Sequence, residues 1–239
     1  MSRSDASLSA PSTNLLLSAL PSREYNRLFP YLERVPLAFK AVLYEPGQPI
    51  RHLYFPTSGM LSLLLAPDRH GISVEVGVVG REGMADLSGF LGATVASTRS
   101  MVQVPGEALR LPVDKFRVLV DRNSKLRELL LRYVHVFLVQ LTQETACNAL
   151  HSVEKRLCRW LLTIHDRTGR DHFPFTHEFL AAMLGVRRAT VTEAARRLRQ
   201  AGLIHYGGGQ LTVLERRGLE RTVCDCYRVV KAELNQFLG

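Results

Sequence analysis

From about residue 35 to 112, short apolar runs alternate with turn residues. Ala41–Tyr44 is followed by Glu45-Pro46-Gly47-Gln48, then Leu53–Phe55, Gly59, Leu61–Leu65 and Val74–Val79, with Leu109–Leu111 as a closing strand. Strands at this spacing predict an all-β barrel or roll, and Pro46-Gly47 suits the centre of a type II turn. After Pro112 the pattern changes. Asp114 is placed to cap a short helix, and residues 123–150 contain neither Gly nor Pro. There, Leu126, Leu130, Phe137 and Leu141 form one stripe, widened by Leu129, Val134 and Leu138. Twenty-eight helical residues would span about 42 Å. So long and apolar a helix needs cover from the β domain on one side and from a second copy on the other, which marks residues 123–150 as a dimer seam; a plain core helix is the alternative.

A break at His151-Ser152 precedes a second helix, Val153 to about Arg167, with Leu157, Trp160, Leu161 and Ile164 at helical spacing and Thr168-Gly169-Arg170 ending it. Trp160 reads as core. Residues 176–204, THEFLAAMLGVRRATVTEAARRLRQAGLI, then predict two short helices joined by a turn. Thr176 is a suitable N-cap, Phe179, Leu180, Met183 and Leu184 recur at helical spacing, and Gly185 can take the left-handed conformation that ends the helix. In the next helix Ala189, Val191, Ala194, Ala195 and Leu198 form an apolar stripe, leaving Arg187, Arg188, Thr190, Thr192, Glu193, Arg196 and Arg197 on other faces. Five arginines face one glutamate between 187 and 199. That balance exceeds an ordinary solvated face and points to a helix-turn-helix contacting a polyanion. Leu203–Tyr206 and Leu211–Leu214, separated by Gly207-Gly208-Gly209-Gln210, predict a hairpin, hence a winged helix. The glycines do not meet the context of a phosphate loop, because no lysine-bearing helix follows. Arg217 to Leu238 predicts a closing helix.

Charge adds to this picture. The 239 residues carry a net charge of +9; residues 1–150 hold 16 basic and 13 acidic side chains, and the shorter remainder holds 15 and 9. The excess lies with the helix-turn-helix and favours nucleic acid through counterion release over a membrane surface, for which no basic amphipathic tail or lipidation motif speaks. Residues 1–13 are rich in Ser, Ala and Pro, so residues 1–20 are expected to be a flexible leader; Leu15-Leu16-Leu17 is too short for a secretory core, and a cytoplasmic location is expected. Cys147, Cys158, Cys224 and Cys226 lack zinc-finger spacing and read as reduced, buried thiols. Cys224 and Cys226, two apart on the expected closing helix, should diverge and share no metal.

The order of parts, with LGVRRATVTEAARRLRQAGLI in the carboxy-terminal region and YEPGQPIRHLYFPTSGMLSL and VGREGMADLSGFLG in the β region, resembles the Crp/Fnr family of bacterial transcription regulators over residues 20–215. The resemblance implies an α+β chain: an amino-terminal sensor β-roll of double-stranded β-helix or jelly-roll type at 21–122, a dimerisation helix at 123–150 and a winged helix-turn-helix at 151–239. It also implies a homodimer on a palindromic site in double-stranded DNA, with a small-molecule effector in the roll and a contact to RNA polymerase as further partners. By position, Thr176 and His177 fall where the first helix approaches phosphate. Arg187, Arg188, Ala189 and Glu193 fall at base-reading positions, Thr190 and Arg196 at backbone-contacting ones, and Thr192 beside them. Arg188 is the strongest candidate, since a guanidinium donates two bonds to guanine O6 and N7. Family members that read the familiar consensus carry Glu and Arg where this chain has Ala189 and Glu193, so a different operator is expected. Glu193 either accepts from cytosine N4 or pairs with Arg197.

The family's cyclic-nucleotide pocket uses a glutamate and an Arg-Ser or Arg-Thr pair. Here Arg99-Ser100 is one residue out of register and Glu82 precedes Gly83, so a cyclic-nucleotide response is disfavoured and the effector is left unassigned. No cysteine precedes Cys147, which removes the family's amino-terminal iron-sulfur set, and His52, His70 and His135 are weak haem ligands; no cofactor and no metal are expected. Two other classes stand beside the DNA reader. One is an interaction module whose winged helix contacts protein. The other is an enzyme, for which no nucleophile and base arrangement is seen.

Overall fold

The computed structural model describes residues 13–65, 73–122 and 124–239. Residues 1–12 of the expected leader, the histidine at 70 and the first residue of the expected seam, Asn123, lie outside the described residues. The second half of that leader is part of the fold. Asn14 caps α1 (Leu15–Ser18) by accepting from the Leu17 N–H, and its amide donates to the carbonyls of Pro56 at 2.9 Å and Gly83 at 2.8 Å. Leu16 and Leu17 are thereby buried in the same cluster as the roll, and α2 (Ser22–Leu28) follows.

The roll is built on two long strands. β3 (His52–Leu64) pairs antiparallel with β5 (Arg99–Pro112) from His52↔Pro112 to Leu64↔Arg99. β1 (Glu33–Leu37) and β4 (Glu75–Val79) extend the sheet in the order β1-β5-β3-β4, and β2 (Val42–Tyr44) pairs with β5. The runs 53–55 and 61–65, expected as separate strands, are one strand. It bends at bulges around Gly59, whose φ is +75° and where a Cβ would lie 2.5 Å from the Val104 carbonyl oxygen. Only glycine permits that close, left-handed passage.

α3 (Val113–Asp121) leads into α4 (Ser124–Leu150), 27 residues long. One side of α4 covers the roll. Leu126 and Leu130 are fully buried among Phe55, Phe116 and Tyr133, so these two expected seam residues face the chain's own core. Phe137 and Leu141 are half-buried over β4, where a Cβ at Gly77 would meet Leu141 at 3.1 Å and Phe137 at 3.3 Å. Apart from Leu150 at its end, the bare large apolar side chains of α4 are on a neighbouring stripe: Leu131 and Leu138, 52% and 55% exposed, seven residues apart, with Thr145 another seven on. The Thr142 and Thr145 hydroxyls bond back to the Leu138 and Leu141 carbonyls, which leaves their methyl groups outward.

α5 (Val153–Thr168) is capped by Ser152 and closed by left-handed Gly169. It joins the two halves of the chain. Trp160 packs edge-on to Phe175 at 5.0 Å; Phe175 stacks on Phe179 at 5.1 Å, and Phe179 lies 5.8 Å from Phe39 of the roll. The Trp160 indole also donates to Glu75 of β4 at 3.0 Å, while Gln103 at 2.6 Å and the Ser62 hydroxyl donate to the other carboxylate oxygen. Nearby, buried Arg159 pairs with Glu144 at 3.2 Å, and buried Arg167 pairs with Glu82 at 2.8 Å and donates to Gln140 at 2.5 Å. The expected closing helix is two helices, α8 (Arg216–Thr222) and α9 (Asp225–Leu238), broken at Val223-Cys224. Cys224 is therefore the N-cap of α9 and Cys226 lies in its first turn, and the two thiols converge instead of diverging.

Burial and then the Glu144 carboxylate push the Glu75 carboxyl up to about 8, with Ser62, Arg159 and Gln103 opposing. Its folded value lies above the unfolded one, so the stability it contributes is complete below about pH 4.5 and declines as pH rises toward 8. Glu75→Gln should flatten that decline: the difference in melting temperature between pH 5 and pH 8, measured by calorimetry, should shrink relative to wild type. Parallel pH profiles for the two proteins would contradict the assignment.

Candidate nucleic-acid interface

α6 (His177–Leu184) begins where Thr176 accepts from the Phe179 N–H at 3.1 Å and ends at Gly185, φ +59°. Those two local signals set the turn, and the Val186 N–H bonds back to the Ala181 carbonyl. α7 (Arg188–Gln200) buries Val191, Ala194, Ala195 and Leu198 against its neighbours. Ala189, placed in that stripe by spacing, instead lies on the exposed face with Arg187, Arg188 and Thr190. Arg187 occupies the N-cap in extended conformation with no side-chain cap, so the first N–H groups of α7 face outward beside two guanidiniums. Neither Arg187 nor Arg188 has an ion-pair partner among the described residues.

The remaining site residues are engaged within the domain. Glu193 holds Arg196 at 2.7 Å and Arg197 at 3.1 Å, and Arg196 also donates to Gln200. The bonds from Arg196 and then Arg197 hold the Glu193 carboxyl at about 2. The Thr192 hydroxyl donates to the Arg188 carbonyl at 3.0 Å, so at 2.9 Å it accepts from Nδ1 of His177, which fixes the imidazole tautomer. Thr192 thus pins α7 to the start of α6.

The wing consists of β7 (Ile204–Gly207) and β8 (Gln210–Val213), joined through Gly208 and Gly209 at φ +59° and +75°, the torsions of a type I′ turn. β6 (His172–Phe173), not foreseen in the sequence, adds to β8. Tyr206 of β7 stacks on His177 with ring centroids 4.1 Å apart and planes 17° apart, tying wing to helix. Sequence reasoning missed this pair. Its only signal was an aromatic residue near the hairpin tip, and nothing local specified the partner.

The result is one outward face carrying Arg187, Arg188, Ala189 and Thr190, flanked by Thr176, His177, the Glu193 cluster and the wing. Residues 155–222 match the model of the Crp-like helix-turn-helix domain. This part of the chain is a Crp-like helix-turn-helix domain. The structure is similar to that of a Crp/Fnr family protein from Eubacterium rectale, at TM-score 0.68 and 16% identity, over 87% of this chain and 96% of that one. It is also similar to FixK2 from Bradyrhizobium japonicum, at TM-score 0.69 and 12% identity, over 81% and 98%, and to a Crp/Fnr family transcriptional regulator from Thermus thermophilus, at 0.64 and 21%, over 80% and 97%. The chain therefore has the Crp/Fnr fold, with the Crp-like domain docked on the roll. No curated protein matches its sequence.

In the roll, Arg99 pairs with Glu45 at 2.8 Å and is one-third exposed, while its neighbour Ser100 is fully buried on the opposite face of β5. Glu82 accepts from the Gly80 N–H and pairs with Arg167 of the Crp-like domain.

Burial first, and then the Arg188 guanidinium, lower the His177 pKa below 6.5. Arg188→Ala should therefore return part of the shift, raising the pKa of His177 followed by NMR. An unchanged titration would place the Arg188 side chain away from His177.

Proposed function

We propose that this chain is a sequence-specific transcription regulator that acts as a homodimer on a palindromic operator in double-stranded DNA, in the cytoplasm, and that its roll governs the Crp-like domain. The observation that carries this reading is the pair of unpaired, exposed guanidiniums, Arg187 and Arg188, at the uncapped start of α7. A helix entering the major groove presents that end to base edges, and Arg188 is the side chain assigned to guanine. Arg196, about two helical turns farther along α7 and paired with Glu193, is assigned to phosphate. Thr176 and Thr190 stand on the same outer face and suit phosphate contact, whereas Thr192 and His177 act mainly by fixing α6, α7 and the wing to one another. The reading assigns no catalysis. Among the described residues no helix is long and apolar enough to cross a membrane.

The same placements bear on the effector. A nucleotide ribose would compete with Arg167 for Glu82, and a cyclic phosphate would compete with Glu45 for Arg99. The reading therefore disfavours a cyclic-nucleotide pocket of the usual pattern and leaves the effector unassigned. The dimer seam is assigned to Leu131 and Leu138 with the methyl faces of Thr142 and Thr145, because Leu126 and Leu130 are consumed by the roll.

Two outcomes follow. Arg188→Ala should cost about 1–3 kcal/mol on the preferred operator and relax preference at one base pair per half-site, while Arg196→Ala should weaken all duplexes alike and reduce the salt slope by about 1. Binding isotherms on operator and scrambled duplex at several salt concentrations separate the two, and an Arg188→Ala protein with undiminished sequence preference would remove Arg188 from base reading. Leu131→Glu with Leu138→Glu should shift sedimentation from dimer to monomer without loss of melting temperature; a stable dimer in that variant would move the seam elsewhere.

A further inference from the structure

The break between α8 and α9 brings together four side chains that the sequence keeps far apart. Cys147 lies near the end of α4 and His151 four residues on, so both project from one side of that helix end. Cys224 caps α9 and Cys226 sits in its first turn. The ligand atoms of all four lie within 4.8 Å of one another, and the three cysteines are buried. Cys147 Sγ is 3.5 Å from Cys224 Sγ, and Cys226 Sγ is 3.7 Å from His151 Nδ1. With Zn–S near 2.3 Å and Zn–N near 2.0–2.1 Å, the edges of a tetrahedral site are about 3.8 Å between sulfurs and about 3.6 Å between sulfur and nitrogen. These two edges lie within about 0.3 Å of those values, and small side-chain shifts would draw in the rest, which are no longer than 4.8 Å.

We propose that Cys147, His151, Cys224 and Cys226 form a structural zinc site, with three thiolates and one imidazole in a closed tetrahedron. The surrounding charge fits. Three thiolates on a divalent ion leave one net negative charge, and the Arg159 and Arg156 guanidiniums lie beside Cys147. Cys224 is also the N-cap residue of α9, at the positive end of that helix's dipole. A cavity of about 270 Å³ lined by Glu144, Arg159 and Tyr227 borders the cluster at Cys226. Bound there, the ion joins the end of α4 to α9 across the His151-Ser152 break, where the long helix passes into the Crp-like domain. The inference does not depend on DNA binding.

The test is elemental analysis of the full chain purified under reducing conditions, followed by chelation and reconstitution with cobalt(II) alone. About one zinc per chain is expected in wild type and in Cys158→Ser, whose thiol is outside the cluster, and well under half of that in Cys147→Ser and Cys226→Ser. Cobalt should give the visible bands of a tetrahedral ion and a near-ultraviolet thiolate charge-transfer band, and chelation should lower the melting temperature of wild type. Reduced wild-type chain that takes up neither zinc nor cobalt would overturn the proposal. An iron-sulfur chromophore in place of zinc, or full zinc retention in both cysteine variants, would do the same.

Discussion

The arrangement depends on a buried polar junction between α5 and the roll. Glu75 accepts from Trp160, and Arg159 and Arg167 reach Glu144 and Glu82 in a region with almost no solvent. Apolar contact alone would let the two halves slide. Directional bonds in a low dielectric do not, because a partner left unpaired there costs roughly 3–5 kcal/mol. The junction therefore fixes the angle at which the Crp-like domain leaves the roll. Two carboxylates, Glu75 and Glu144, face the Arg159 guanidinium, and the pKa of each is raised mainly by burial.

From that anchored base the reading surface is assembled by short-range constraints. Thr176 starts α6, Gly185 ends it, and Thr192, His177 and Tyr206 lock α6, α7 and the wing into one body. Internal bonding uses the polar groups on the inner side and leaves the arginines at the start of α7 unspent. Glu193 holds Arg196 and Arg197 farther along the same helix, whereas Arg187 and Arg188 at its start have no ion-pair partner among the described residues.

The helix-turn-helix was legible because its signals are local: caps, a left-handed glycine, apolar spacing and a glycine hairpin. The breaks at His151-Ser152 and Gly169 were legible for the same reason. What escaped were features decided by distant partners. The stripe of Leu126 and Leu130 looks the same in sequence whether its cover is a second copy or the roll, and only the packing of Phe55 and Phe116 decides. Asn14 gave no sign that it would bond across 42 and 69 residues to Pro56 and Gly83. Cys224 and Cys226 diverge on an unbroken helix and converge with Cys147 and His151 once Cys224 becomes a cap; apolar periodicity continues through Val223 and conceals the break. In the roll, Gly59 reads as punctuation between strands, yet it is the bend that keeps β3 continuous.

The proposed function requires two copies of this surface to read a two-fold symmetric sequence. The most direct measurement is selection of duplexes bound by the purified chain from a random-sequence pool. The account predicts enrichment of an inverted repeat whose half-site centres lie about 34 Å apart, one helical turn. A pool that stays random after repeated rounds, or an enriched site with a single half and no symmetry mate, would contradict it.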